Sequence, residues 1–391
     1  MRVLHTSDWH LGRNFHGHSL IAEQRAFVDW LAALAEEREV DIVVIAGDVY
    51  DRAVPPVDAV ALWEHALTRL SSTCPVVVTS GNHDSPTRLG FASALLGRSD
   101  IHLRTTVAGI SDPVHVTGRD GAEVLVYGIP YLEPDLHRQE FDAERSHEAV
   151  LGAAMDVVRR DLAAKGADRG GARSLAIAHA FVTGSSGTSL VSESERDLRV
   201  GGIGDAPARV FDGVDYVALG HLHGAQEVRG ASCVHYSGSP LAFSFSEETQ
   251  VKSVTLVDLP GEGAPAVERI LTPVARPIVT LRGTLEELLE RPEFAAHREH
   301  WVRAVLTDPR RPDNPLGHLR TRYEFVAEIS FDRGAAAPSS ESASRAAVRA
   351  ADPLALAEAF VEHVTGTPAD AAEQRGLRDA VESVRARQVP A

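Results

Sequence analysis

Five short apolar runs each end directly in side chains that can hold a metal ion. VLHTS (3–7) runs into Asp8-Trp9-His10, DIVVIAG (41–47) into Asp48, and PVVVTSG (75–81) into Asn82-His83-Asp84. LAIA (175–178) runs into His179, and YVALG (216–220) into His221-Leu222-His223. Any one of these is weak evidence: a lone Gly-Asp or Gly-Asn-His commonly marks a turn, and a histidine on a strand is commonly a hydrogen-bonded core residue. Five at the same point of five strands are a different matter, because ligands collect at the carboxyl ends of strands in α/β sheets. Each i, i+2 pair is expected on one side of a strand or its extension, so that both members reach one ion.

The donors are oxygen and imidazole with no thiolate, which favours manganese, iron, zinc or magnesium. Seven ligands (Asp8, His10, Asp48, Asn82, His179, His221 and His223) are too many for one ion and suit two. Asp48 is the best placed to bridge. Paired ions about 3.5–4 Å apart stabilise both the attacking and the leaving oxygen in phosphoryl chemistry. The net charge of −16 argues against a simple nucleic-acid binder. Two dications against two anionic ligands would nonetheless leave the site positive and attractive to phosphate.

Such a site needs an α/β scaffold, and the pattern supplies one. Further strand candidates are EVLVYGI (123–129), VHYSG (234–238), SVTLVDL (253–259) and VERIL (267–271), with helices near 20–38, 57–71, 87–97 and 143–164. The last three strand candidates lie close together with turns between them, so antiparallel pairing is expected and the sheet system should be mixed. Residues 183–205 are rich in glycine and serine and read as a surface loop. From residue 275 the texture changes to a small α+β module: strands at 277–283, 301–308 and 324–331, and helices near 284–291 and 313–320. Residues 333–351 read as a tether, and Leu356, Phe360 and Val364, then Leu377, Val381 and Val384, recur at helical spacing beyond it. That segment packs either on its own domain or on a partner protein.

With 44% hydrophobic and 24% charged residues the chain has an ordinary globular composition. It has neither a signal-peptide layout nor an apolar run of the roughly 20 residues needed to cross a bilayer, and a cytoplasmic location is expected. Cys74 and Cys233 are far apart and outside any CxxC, so buried inert thiols are expected, not a disulfide.

In this order the motifs (DxH, GDxxD, GNHD, H, GHxH) resemble the calcineurin-like metallophosphoesterase superfamily. LHTSDWHLGR (4–13), AGDVYDRAVPP (46–56), SGNHDSPTRL (80–89), ALGHLHG (218–224) and YSGSPLAFSFSEE (236–248) are similar in detail to the SbcD family, nuclease subunits of bacterial SbcCD complexes. The resemblance implies a four-layer sandwich of two mixed sheets flanked by helices at 1–272 and a small α+β capping, DNA-recognition domain at 275–332. A linker at 333–351 and a helical partner-binding segment at 352–391 would follow. It implies one metal on Asp8, His10, Asp48 and His223 and another on Asp48, Asn82, His179 and His221, with manganese as the ion. His83 would be a catalytic residue that protonates the leaving 3′ oxygen or neutralises transition-state charge, and Asp84 would orient it. The implied partners are DNA, a second copy of the chain and an SbcC-type ABC ATPase with a long coiled coil. The implied activity is 3′-to-5′ exonuclease on double strands and endonuclease on single strands or hairpins, serving DNA repair. The ligands alone leave two rivals open: another phosphoesterase on this scaffold (phosphatase, nucleotidase or cyclic-nucleotide phosphodiesterase), and a non-cutting subunit that presents DNA.

Arg13, Arg52 and Arg88 lie in or beside the motif loops and either clamp phosphate or form surface salt bridges. His16 and His18 either touch DNA phosphate or are solvated. Asp51 is expected behind the ligands, His5 is expected in the core, and Trp9, between two ligands, is expected to point away and pack.

Overall fold

A computed structural model describes residues 1–165, 171–184, 192–195, 205–230, 232–273, 276–332, 353–365 and 367–387. The expected tether at 333–351 and most of the glycine- and serine-rich segment 183–205 lie outside them. The chain divides into two compact units, Met1–Phe331 and Asp332–Ala391.

Two six-stranded mixed sheets form the centre of the first unit. In one, β1 (Arg2–Thr6) pairs in parallel with β4 (Ile42–Ala46), followed by β5 (Val76–Thr79) and β6 (Ile101–Arg104). On its other side, β15 (Ser253–Asp258) pairs antiparallel with β1, and β16 (Ala266–Leu271) antiparallel with β15. In the second sheet β12 (Tyr216–Gly220) lies between β9 (Arg173–His179) and β14 (Cys233–Tyr236), parallel to both. Beyond β9 comes β8 (Glu123–Ile129), parallel to it; β7 (Val114–Thr117) and β13 (Gln226–Val228) form antiparallel edges. Two short pairs complete the set: β2 (Asn14–Phe15) with β3 (His18–Ser19), and β10 (Val182–Thr183) with β11 (Ala206–Pro207).

The continuous apolar character of these strands follows from burial on both faces. In β4, Val43 and Ile45 face a core with α1 (Ile21–Glu37) and α2 (Val57–Ser71), while Ile42 and Val44 face the second sheet. In β8, Val124 and Val126 meet the first sheet, while Leu125 and Tyr127 meet α6 (His147–Lys165). The order is therefore helix, sheet, sheet, helix. In α2 the buried residues Ala59, Leu62, Trp63, Ala66, Leu67 and Leu70 recur at alternating steps of three and one, the stripe that seats a helix on a sheet.

The expected helix at 87–97 is instead two single turns, α3 (Pro86–Leu89) and α4 (Ser93–Leu96), because Ala92 between them adopts a left-handed φ of 59°. The run around Val234 does not pair with its sequence neighbours at 253–271: β14 joins the second sheet, whereas β15 and β16 close the first. β6 and β7 were not expected, since IHLR and VHVT are short and half polar. A further single turn, α5 (Pro134–His137), precedes α6.

After residue 276 a three-stranded parallel sheet, β17 (Ile278–Gly283), β18 (Trp301–Leu306) and β19 (Phe325–Phe331), is crossed by α7 (Leu285–Glu290) and α8 (Pro315–Leu319). It has its own core of Leu281, Leu288, Val302, Leu306, Leu319 and Tyr323. A separate aromatic seam joins it to the larger body: Phe15, Phe243 and Phe245 pack with Trp301 and Phe325. The Arg276 guanidinium lies 3.5 Å from the Phe325 ring centre and pairs with Glu23 at 2.6 Å.

The second unit contains α9 (Pro353–Thr365) and α10 (Ala371–Arg387). On α9, Leu356, Phe360 and Val364 are exposed at successive turns. No helix among the described residues is long and apolar enough to cross a membrane.

Candidate metal centre

The β1 and β4 extensions run side by side past the sheet edge: Asp8 N–H donates to the Gly47 carbonyl and His10 N–H to the Asp48 carbonyl. Neither extension stays in strand geometry. Asp8, His10, Asp48 and His221 have φ of 54°, 45°, 47° and 111°, conformations that cost a non-glycine residue about 1–3 kcal/mol each and persist only where the surroundings over-determine them. Asp8 and His10 therefore do not converge by simple i, i+2 alternation, as the spacing implied, but through a turn that folds both inward. Close approach of the loops is possible because a Cβ at Gly220 would lie 1.8 Å from the Ala46 carbonyl oxygen, and one at Gly81 2.1 Å from an Asp48 oxygen.

The resulting cluster centres on Asp48. Its Oδ2 lies 3.5 Å from His179 Nε2, 3.7 Å from His10 Nε2 and 4.0 Å from His83 Nε2. Its Oδ1 accepts the His83 N–H at 2.8 Å. His10 Nε2 and His223 Nε2 face each other at 3.2 Å, and His179 Nε2 is 2.9 Å from Asn82 Oδ1. The His221 N–H is bonded to both Asp8 oxygens, at 3.0 and 3.1 Å. Three overlapping groups (Asp8 with His10 and His223; His10 with Asp48 and His83; Asp8 with Asp48 and His179) each bring their donor atoms within 4.8 Å of one another.

Burial sets the protonation of these groups. It drives His10 and His221 well below the usual imidazole range and His179 down to about 4, so the imidazoles are neutral, the form that ligates. The His179 Nδ1–H donates to the Ala46 carbonyl at 2.9 Å, which leaves the Nε2 lone pair facing the cluster. Burial first, then repulsion from Asp48, raises Asp8 well above the carboxylate range. Two mutually repelling buried carboxylates among neutral imidazoles make a site short of positive charge. His10 Nδ1 is itself buried without a hydrogen bond. This donor set fits divalent cations.

The other expected residues divide. His83 reaches the cluster, but its Nδ1 lies 2.8 Å from the Asp51 carbonyl oxygen, so the main chain of Asp51 orients the ring. Asp84, expected to do so, instead accepts the amides of Val49, Tyr50 and Gly81 at 3.1, 2.9 and 2.9 Å and ties the Asp48 loop to the Asn82 loop. Arg13 is bound to the Asp51 carboxylate at 2.9 Å and lies over the Phe243 ring. Arg52 and Arg88 are exposed; Arg52 lies 3.8 Å from the Asp51 carboxylate, and Arg88 donates to the Ala53 carbonyl. His16 and His18 sit at the aromatic seam: His16 against Phe15 and Phe245, 3.9 Å from Glu328, and His18 against Trp301. Trp9 packs in the core between Phe27 and Trp63, and His5 is buried between the sheets. Cys74 is buried and Cys233 half-buried; both are free thiols, pushed up to about 12 and 11 by burial.

Sequence reasoning missed what stands behind His223. Glu247, Ser194, Glu195 and Lys252 surround it. Glu247 lies inside the YSGSPLAFSFSEE motif, where its type and spacing suggested no role, and Ser194 and Glu195 lie in what read as a surface loop.

Fold and site together define a calcineurin-like phosphoesterase, and the family model of that description matches residues 1–225. A second model, described as the type 5 capsule protein repressor C-terminal domain, matches residues 274–365. The chain is 35% identical over 318 residues to the SbcD subunit of the SbcCD nuclease of Escherichia coli K12, covering 79% of this chain and 76% of that protein. It is 37% identical over 279 residues to the protein of the same name in Bacillus subtilis 168, covering 70% of each. It belongs to the SbcD family and is a metal-dependent phosphodiester hydrolase of the nuclease type. Among solved structures, a dimetal phosphatase from Danio rerio matches with a TM-score of 0.41 at 11% identity, over 69% of this chain and 95% of that one.

Proposed function

We propose that this chain cuts DNA as the nuclease subunit of an ATP-dependent repair complex, acting as a 3′-to-5′ exonuclease on duplex ends and an endonuclease on single strands and hairpins. The observation that carries the reading is one buried cluster of Asp8, His10, Asp48, His179, His223 and His83, with Asn82 bonded to His179 and the His221 ring packed against it. Asp8, His10, Asp48 and His223 would hold one ion and Asp48, Asn82, His179 and His221 the other, with manganese as the metal. Divalent ions bound there supply positive charge that acidifies an attacking water and offsets charge on the phosphate.

The chain's own residues do the rest. Asp48, central to the cluster, bridges the two halves of the site. His83, steered through Nδ1 by the Asp51 carbonyl, directs Nε2 to the Asp48 side of the cluster. Its protonated ring can donate there to the leaving 3′ oxygen or offset transition-state charge. Asp84 keeps the two ligand loops in register. Arg52 and Arg88 offer guanidinium groups to phosphates flanking the scissile bond.

Residues 1–272 form the nuclease domain and 275–332 a capping domain over the DNA path; 333–351 tether the helical segment 352–391. The exposed Leu356, Phe360 and Val364 of α9 support docking of that segment on an SbcC-type ATPase. Exposed Val54, Val57, Val60, Phe91 and Leu95 support a homodimer contact, since the Arg88 bond to Ala53 brings their two stretches together. A cytoplasmic setting suits this work.

The test is turnover of linear duplex, hairpin DNA, p-nitrophenyl phosphate and cyclic nucleotides side by side, with Mn²⁺ and with EDTA. EDTA-sensitive DNA cleavage is expected. Turnover of only the small phosphoesters, even with the ATPase and ATP present, would replace the nuclease reading with a phosphatase or cyclic-nucleotide phosphodiesterase.

A further inference from the structure

His223 is gripped from behind by a buried ion pair in the segment that follows β14. Glu247 is 1% exposed. Its Oε1 lies 3.1 Å from His223 Nδ1 and also accepts the hydroxyls of Ser192 and Ser194, at 2.8 and 2.5 Å. The Ser194 oxygen is in turn 2.8 Å from the same Nδ1, so the Nδ1–H is shared between a carboxylate and a hydroxyl that the carboxylate itself holds. The other Glu247 oxygen accepts from Lys252 Nζ at 2.5 Å and from the Phe243 amide at 3.2 Å. Lys252 donates also to the His223 carbonyl, at 3.1 Å, so one ion pair holds the ligand by both ring and main chain.

We propose that Glu247 is a positioning residue for metal binding: it fixes the Nδ1–H tautomer of His223 and aims the Nε2 lone pair at the ion, while Lys252 neutralises the carboxylate and holds it in place. This rests on the reading of His223 as a ligand. The chemistry is that of a carboxylate–imidazole–metal relay, in which the outer carboxylate orients the ring and raises its basicity, and whose loss costs about 10–100-fold in metal affinity. A need for fold stability alone explains the pair poorly, because a buried ion pair replaced as a whole by neutral side chains of similar size often costs nothing. A lone buried lysine would be costly, which is why both partners must be changed together.

The experiment measures Mn²⁺ binding by calorimetry on the full chain, beside metal-free melting, for wild type, Glu247→Gln with Lys252→Met, Glu247→Asp, and His223→Ala. The double variant removes both charges and keeps their bulk; Glu247→Asp keeps the charges and shortens the reach to the ring. Both should melt near the wild-type temperature without metal, yet bind one of the two Mn²⁺ ions about 10–100-fold more weakly. Saturating Mn²⁺ should then restore DNA cleavage, which a misfolded site would not permit. If either folded variant binds both ions with wild-type affinity, Glu247 is a structural residue only and the proposal falls. If His223→Ala itself binds both ions normally, the ligand reading has failed instead, and the two failures are thereby distinguished.

Discussion

The Nδ1 of His83 lies 2.8 Å from the carbonyl oxygen of Asp51, a main-chain group three residues beyond Asp48 at the centre of the buried cluster. Orientation of the imidazole is thus independent of the Asp51 side chain, whose carboxylate is occupied by Arg13 at 2.9 Å. Asp51→Ala is therefore expected to keep the rate of DNA cleavage within about tenfold of wild type, or about 1.4 kcal/mol. Single-turnover cleavage at saturating Mn²⁺ checks this. A loss as deep as that of His83→Ala would show that the carboxylate, not the carbonyl, governs the ring.

Asp84 behaves differently, because its carboxylate satisfies three backbone amides in the Asp48 and Asn82 loops. Asp84→Ala leaves those donors without it, at about 1–3 kcal/mol for each amide left buried and unsatisfied. Urea denaturation of the metal-free protein should show a loss of several kcal/mol in all, and an unchanged midpoint would contradict the assignment.

Much of this was legible in the sequence because burial on both faces forces continuous apolar runs, as in IVVIA of β4, and their ends are then easily read. The residues that the fold brings into the buried cluster were visible for the same reason. The turn that brings Asp8 and His10 together was not, since left-handed φ values at aspartate and histidine leave no mark on hydrophobic pattern. Nor was the orientation of His83, which depends on a carbonyl, a group every residue carries. Nor was Glu247, since it stands beside Glu248 and nothing in the local pattern separates the buried carboxylate from its exposed neighbour. Its partner Lys252, five residues on, carries no local signal of burial. The joining of β14 to the second sheet depends on tertiary pairing, which adjacency in sequence misstates.

The site trades stability for metal binding. Burial and the Asp48 charge raise Asp8 well above the carboxylate range, so its ionised form destabilises the metal-free fold. Asp8→Asn, which can still accept the His221 amide, should melt at or above the wild-type temperature in EDTA. It should lose most of the gain seen with Mn²⁺, which for wild type is about 3–4 kcal/mol at 100–1,000 times the dissociation constant. A marked drop in the EDTA melting temperature would argue that Asp8 is a net structural contributor.

A pH effect should also arise from a histidine buried between the two sheets. His5, bonded to Tyr216 Oη at 3.0 Å and the Leu219 carbonyl at 3.1 Å, is pushed down to about 3 by burial, with a smaller contribution from His235. In the unfolded chain it titrates near about 6.5. Between these values the unfolded state carries a proton that the folded state lacks, so stability rises with pH. The contribution is complete above about 6.5 and falls by about 1.4 kcal/mol for each pH unit below it. Urea midpoints of wild type and His5→Gln at pH 7 and pH 5, both in EDTA, isolate the effect as a shallower dependence in the variant; identical slopes would contradict it.

The most direct test of the account is cleavage of linear and hairpin DNA with Mn²⁺ by wild type and His83→Ala, with bound metal counted in both. Wild type should cut, EDTA should stop it, and His83→Ala should retain two ions yet cleave about 10²–10⁴-fold more slowly. Unimpaired cleavage by the metal-loaded variant would remove His83 from the chemistry. Failure of the wild type to cut any DNA, with the ATPase and ATP supplied, would contradict the nuclease assignment itself.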